Sequence, residues 1–441
     1  MNQQPSPMDQ RYRDLTPKSR ALFEETTRYL VGGESGTGFM FPYPSYITHG
    51  EGCHLYDVDG RTLVDFINGT FVLPLGHDNP AIRQAIQDQA AKGTMFTWPA
   101  THAKDLAAEL VERIPSVDRL RFTASGSEAV MYAVRLSRIF TGRRKIAKMQ
   151  GGYHGTTDAL WIGVTGEPGS MADQPDPPGM AIGTTENLIS LPFNHADEAV
   201  RIIERHVDEI AIVAVEPVLG STGMIPPAPG FLQALREVTA RLGIVLLFDE
   251  MISFSIAHGG AQELYDVMPD LTTTGKAIGG GMPIAMFGGR ADLMEIVDLY
   301  ARNDKPKAVQ LATYGGHPIA LAAGLACMRQ MTTAVYEHLH ALGDRLRSGL
   351  ATIAKQREVP LRVTGVGHLF GMYWTQSEVY DYATVNTSDW DVLNEISLAM
   401  VSKGYLMSHR ARGCLSYPMT NQNVDNFLDA FEESLKELDL V

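Results

Sequence analysis

The chain is poor in cysteine, in basic charge and in long apolar runs, and each shortage removes a class of protein. Only Cys53, Cys327 and Cys414 occur in its 441 residues. They are scattered, with no CxxC pair and no histidines at zinc spacing, so they are read as reduced thiols of a cytoplasmic protein. Lys and Arg number 37 against 51 Asp and Glu, a formal charge of −14, and no basic stripe interleaves with aromatics. Such a surface repels a phosphate backbone, which argues against nucleic-acid binding. No apolar run approaches a membrane span, and the polar start MNQQPSPMDQRYRDLTPKSR lacks the apolar core of a signal peptide. Neither secretion nor membrane insertion is expected. No HExxH is present, and His338 and His340, two apart on a predicted helix, diverge to separate, exposed positions, so no metal site is expected.

What remains is an ordinary globular composition, 44% hydrophobic and 20% charged, in a chain too long for one core. From about residue 120, short apolar runs alternate with longer helical patterns, the mark of βαβ units and a mostly parallel sheet. IAIVAVEP (Ile210 to Pro217) reads as a buried strand, FLQALREVTARLG (Phe231 to Gly243) as an amphipathic helix, and IVLLFDE (Ile244 to Glu250) as the next strand. RLRFTA, KIAKMQ, LTTT (Leu271 to Thr274) and IAMFGG (Ile284 to Gly289) are further strand candidates. After about residue 325 the order becomes α+β, with an alternating run at LRVTGVGHLFGMYW (Leu361 to Trp374) and an amphipathic helix around Asp425 to Leu438. The expected organisation is an N-terminal segment over 1–60 packing on the C-terminal domain or a partner subunit, a large domain over 61–325, and a smaller α+β domain over 326–441.

Asp249 ends a very apolar predicted strand, where ligands bind in open α/β sheets. A carboxylate buried there needs a cationic partner, although alone it reads equally well as a helix cap. Lys276 follows a buried strand beside three glycines, AIGGGMP. A desolvated lysine loses proton affinity and becomes a usable amine nucleophile. A phosphate-binding P-loop is rejected, because Asp270 replaces the first glycine of GxxxxGK[ST] and Ala277 the Ser or Thr. SGSEA (Ser125 to Ala129) opens a helix whose N-terminus, at Gly126 and Ser127, can hold a phosphate, or is a plain N-cap. GGYHG (Gly151 to Gly155) presents an aromatic among glycines, able to stack on a flat ring.

Taken in order, SGSEA, GGYHG, VEPV, LLFDE, TTTGKAIGGGMP and TYGGHP resemble the class III pyridoxal-phosphate aminotransferases, in the subgroup of glutamate-1-semialdehyde aminomutase and β-phenylalanine aminotransferase. The likeness runs from about GEGCHLYDVDG (Glu51 to Gly60) to near the C-terminus. It implies an α/β, fold type I transferase: a large domain with a mostly parallel sheet flanked by helices, plus a smaller α+β domain from the chain ends. It implies pyridoxal 5′-phosphate as cofactor, held as a Schiff base on Lys276, with Asp249 on the pyridine nitrogen. Lys276 would also shuttle the substrate proton. Gly126 and Ser127 would grip the phosphate, Tyr153 would stack on one ring face, and Met251 or Ile252 would lie on the other. Glu216 would support the ring hydroxyl. Thr313 would reach the phosphate bound to the neighbouring subunit, which implies a homodimer.

Two departures bear on the substrate. The segment Gly32 to Tyr46 lacks the arginine that those relatives carry as a carboxylate clamp, and offers Phe39, Phe41, Tyr43 and Tyr46 instead. Tyr43, with Trp98, is therefore a candidate wall for an apolar substrate. Arg410, with Arg412 beside it, falls where the family's second carboxylate-binding arginine lies. His317 replaces the family's usual asparagine. The leading expectation is amino transfer between a β-amino acid or bulky, aromatic amine and an oxo-acid acceptor. The alternatives are an aminomutase of the glutamate-1-semialdehyde type and an aminotransferase working on a carrier-bound substrate.

Overall fold

The computed structural model describes residues 6–34, 42–161, 169–170, 176, 178–304, 306–408 and 410–441. Its contacts divide the chain into two compact units: residues 1–80, 334–379 and 384–441 form one, and residues 81–333 with 380–383 form the other.

The first unit begins with strands β1 (Ile47–Glu51), β2 (His54–Asp57) and β3 (Thr62–Asp65). The second carries β4 (Arg119–Thr123), β5 (Lys145–Met149), β6 (Gly169–Ser170), β7 (Leu188–Leu191), β8 (Ile210–Val215), β9 (Val245–Asp249), β10 (Leu271–Thr274) and β11 (Ala285–Gly289). The chain then returns to the first unit for β12 (Leu361–Thr364), β13 (Leu369–Trp374), β14 (Tyr405–Leu406) and β15 (Arg412–Cys414).

In the second unit the eight strands run in the order β4-β11-β10-β9-β8-β5-β7-β6. From β10 through β9, β8 and β5 to β7 every pairing is parallel, while β11 runs antiparallel between β10 and the edge strand β4, and β6 runs antiparallel at the other edge. Every residue of β8, β9 and β10 is buried, as continuous apolar runs under helices on both faces must be. One face packs on the helix Gly126–Thr141 through Ala129, Ala133 and Leu136 against Ile146, Ile212, Ala214 and Leu247. The predicted helix after β8 is present as Phe231–Leu242 and stops at Gly243. This is a mostly parallel α/β sheet, with β9 ending on Asp249 and β10 ending two residues before Lys276.

In the first unit β14 joins the amino-terminal strands in the order β1-β2-β3-β14, and β12-β13-β15 form a second sheet. The run Leu361 to Trp374 is not one strand. It folds back through residues 365–368, so that Leu361 pairs with Trp374. The final helix starts at Asn421, a turn earlier than periodicity alone suggests, because Thr420 and Asn423 cap its end reciprocally. His338 and His340 are half-buried, contrary to expectation. His338 bonds the Met419 carbonyl at 3.0 Å. All three cysteines are free thiols and buried.

The core of the first unit centres on Phe427, whose ring lies 4.4 Å from Phe66, 5.6 Å from Tyr405 and 6.3 Å from Phe370. Tyr43 belongs to a smaller cluster of this unit. It is 3% exposed, stacks on Phe23 at 5.8 Å, meets Tyr12 at a tilt at 5.3 Å, and shares a hydrogen bond with the Thr16 hydroxyl. That places Tyr43 in a core rather than on a pocket wall: the amino-terminal helices supply the apolar cover that an aromatic segment demands. Phe39 and Phe41 lie outside the described residues. Truncating Phe427 to Ala removes a fully buried ring, and denaturant melts should show a loss of about 3–5 kcal/mol.

Candidate active site

The carboxyl ends of the parallel strands in the second unit gather the polar groups that the apolar strands exclude. Asp249 closes β9 and is buried. One carboxylate oxygen lies 2.8 Å from His154 Nδ1. The other accepts from the Thr273 hydroxyl at 3.1 Å and the Met251 amide at 3.3 Å. Thr273 faces Asp249 because β10 pairs with β9 in that register. His154 is itself buried, and its Nε2 has no hydrogen-bond partner among the described residues.

Glu216, just past β8, holds the loop that carries Tyr153. It accepts from the Tyr153 amide at 2.9 Å and from the Ser221 amide and hydroxyl at 3.1 and 3.0 Å. Burial pushes its carboxyl above the ordinary range, with His154 and the Tyr153 amide pulling the other way. The Tyr153 ring is half-exposed and meets Trp161 edge-on at 6.1 Å. Burial, and then the charge of Asp249, raise its hydroxyl pKa.

The helix Gly126–Thr141 begins beside this loop. Ser125 caps it by accepting from the Glu128 amide at 3.3 Å, and its first turn presents unsatisfied amides suited to an anion. The Ser127 hydroxyl takes the Thr156 amide at 3.2 Å and lies 3.4 Å from the Thr156 hydroxyl. Two glycines permit the approach. A Cβ on Gly126 would lie 2.9 Å from the Met251 sulfur, and one on Gly155, at φ +97°, would lie 2.7 Å from Ser127 Cα.

Lys276 opens a short 3₁₀ turn after β10. Its φ is +47°, a left-handed conformation costing a non-glycine residue about 1–2 kcal/mol. Strain of this kind gathers at functional sites. Gly275 abuts the Met251 sulfur, where a Cβ would stand at 2.9 Å. The residues read from the sequence as cofactor contacts, Gly126, Ser127, Tyr153, Glu216, Asp249, Met251 and Lys276, thus lie along one edge of one sheet.

Thr313 is exposed in a turn. Trp98 is exposed in the loop before the helix His102–Arg113. His317 takes the N-cap of the helix Pro318–Gln330 without a side-chain capping bond. Ile252 is buried against Gly220. Arg410 belongs to the first unit and is exposed in a turn, whereas Arg412 is half-buried in β15. Sequence reasoning missed His154, Thr156 and Thr273 as site residues. His154 was legible as the neighbour of Tyr153, and Thr273 only through strand register.

A buried acid closing a parallel strand, an anion-ready helix start and a lysine past the next strand fit a planar, phosphorylated, basic heterocycle. Comparison with known proteins agrees. The family model "Aminotransferase class-III" matches residues 40–435. A "Glutamate-1-semialdehyde 2,1-aminomutase 2" of Listeria monocytogenes serotype 4a (strain HCC23) is 37% identical over 96% of this chain and 98% of its own. An omega-transaminase from Sphaerobacter thermophilus superimposes with TM-score 0.90 at 37% identity, covering 95% of this chain and 97% of that one. A beta-phenylalanine aminotransferase from Variovorax paradoxus gives TM-score 0.90 at 32% identity, with 98% of both chains covered.

The fold is that of the fold type I pyridoxal-phosphate-dependent enzymes. Within that class the chain belongs to the class III aminotransferase family, and its cofactor is pyridoxal phosphate. Gly155→Ala should push Ser127 away from Thr156 and weaken cofactor retention by about tenfold, from strain of about 1–3 kcal/mol. Equilibrium titration of the apoenzyme with pyridoxal phosphate checks this.

Proposed function

We propose that the enzyme moves an amino group through Lys276, and that its reaction is of the aminomutase type, with donor and acceptor positions on one small substrate. The similarity to a glutamate-1-semialdehyde aminomutase over nearly the whole of both chains carries this reading. When bound, pyridoxal phosphate supplies an aldehyde that takes an amino group and a ring that accepts the electrons released at the substrate carbon. Asp249, held by His154 and Thr273, would keep the ring nitrogen protonated. The amides of Gly126 and Ser127 take the phosphate, joined by the Ser127 and Thr156 hydroxyls. Tyr153 would cover one ring face and Met251 the other. Glu216 fixes the Tyr153 backbone and sits near the ring hydroxyl. Lys276 would hold the cofactor through its aldehyde, and its amine, when free, would move the substrate proton as base and then acid. Thr313, exposed on this chain, would reach the phosphate of a neighbouring subunit in a homodimer, and Arg410 would hold a substrate carboxylate.

A second reading has its own support: transfer from a β-amino acid or bulky, aromatic amine to an oxo acid. The segment Gly32 to Tyr46 contains no arginine or lysine, so one carboxylate clamp is lacking, and Trp98 offers an exposed aromatic wall. A solved relative by structure is a beta-phenylalanine aminotransferase. Turnover of glutamate-1-semialdehyde without any oxo-acid acceptor supports the aminomutase. Turnover of β-amino acids only when pyruvate or 2-oxoglutarate is added supports the transaminase.

Under either reading Asp249→Asn removes a buried charge-assisted bond worth about 1.5–3 kcal/mol, so kcat at saturating cofactor should fall about 10- to 100-fold. Single-turnover absorbance of the cofactor band checks it.

A further inference from the structure

Lys148 is a buried cation that the roles above leave unused. It is the penultimate residue of β5 and is 1% exposed, a burial lysines seldom reach without a partner. Its amine donates to the Leu160 carbonyl at 2.8 Å. Leu160 sits in the one-turn helix Asp158–Trp161, which also carries the Trp161 ring that meets Tyr153.

Strand register explains what lies above it. Lys148 pairs with Ala214 on β8, and Ala214 pairs with Leu247 on β9. Side chains alternate along a strand, so Lys148 shares a face with Ile146, the face packed on the helix Gly126–Thr141. Glu216 and Asp249 follow Ala214 and Leu247 by two residues. They therefore stand on that same face, one pleat nearer the carboxyl edge. Three adjacent parallel strands thus stack one buried ammonium beneath two buried carboxylates.

We propose that Lys148 is a positioning residue of the cofactor site: its charge offsets Glu216 and Asp249 from below, and its bond to Leu160 fixes the turn bearing Trp161 against Tyr153. The inference rests on the pyridoxal-phosphate reading of Asp249 and Lys276. Burial pushes the Lys148 amine down to about 8, with Glu216 and then Asp249 pulling it up, so it remains mostly protonated at neutral pH. Ser190 of β7 is the strand partner of Lys148 on its other side, and the loop residues His154 and Tyr153 meet the two carboxylates above it, at Asp249 and Glu216. On the helix side the Glu128 carboxylate is committed to the Ala124 amide.

A positive charge below the carboxylates lowers the proton affinity of everything they touch. Removing it in Lys148→Met or Lys148→Gln should move the pH midpoint of the holoenzyme's visible cofactor band upward by about half to one unit. Lys148→Arg, which keeps the charge, should hold the wild-type midpoint. An unmoved midpoint in either neutral variant overturns the proposal, as does an equal shift in Lys148→Arg. Should neither neutral variant retain cofactor, Lys148→Arg decides: a wild-type midpoint supports the proposal and a displaced one overturns it. Lys276→Ala separates the two levels of inference. If it keeps the wild-type visible band, the reading of Lys276 fails. If it loses the band while Lys148→Met leaves the midpoint in place, only the role of Lys148 falls.

Discussion

A carboxylate at the end of a buried strand has few ways to exist, and Asp249 sets the terms for what surrounds it. Taking its charge out of water is costly unless hydrogen bonds or an opposite charge replace the lost hydration. Thr273 and the Met251 amide serve one oxygen and His154 the other. That arrangement requires β9 and β10 to pair in one register, and requires the loop after β5 to turn His154 inward. The same turn brings Tyr153 out beside Trp161, with its amide tied to Glu216. One buried charge therefore couples strand register, loop shape and the placement of the aromatic.

The α/β architecture makes such a cluster affordable. Parallel strands are apolar along their length and lie under helices, so polar groups collect at their carboxyl edge. Here that edge meets the start of the helix Gly126–Thr141, where free amides favour an anion. A buried acid after β9 and an anion-ready helix start after β4 thus come to the same edge of one sheet, although two strands separate them. Lys276 is one of the non-glycine residues held at positive φ, and the packed sheet beneath it sustains that strain.

Much of this was legible in the chain. The fully apolar runs at Ile210 to Val215 and Val245 to Asp249 can only be buried strands in a domain of this size, and the motif order identified the family. Where reading failed, long-range packing was the reason. Tyr43 suits a pocket wall by residue type, yet Tyr12, Phe23 and Thr16 enclose it. The alternation from Leu361 to Trp374 holds on both sides of a turn that period-two patterning cannot register.

By itself the sequence determined the family, the cofactor class and the buried strands that end at Asp249 and just before Lys276, because those depend on local pattern and on residue chemistry in a fixed order. Only the tertiary structure decided that His154 and Thr273 hold Asp249, that Lys148 lies beneath the acids, and that Lys276 sits in a left-handed backbone. Each of those depends on which strands become neighbours and in what register. No local spacing encodes that, since residues 95 and 24 positions from Asp249 meet it only after the sheet has formed.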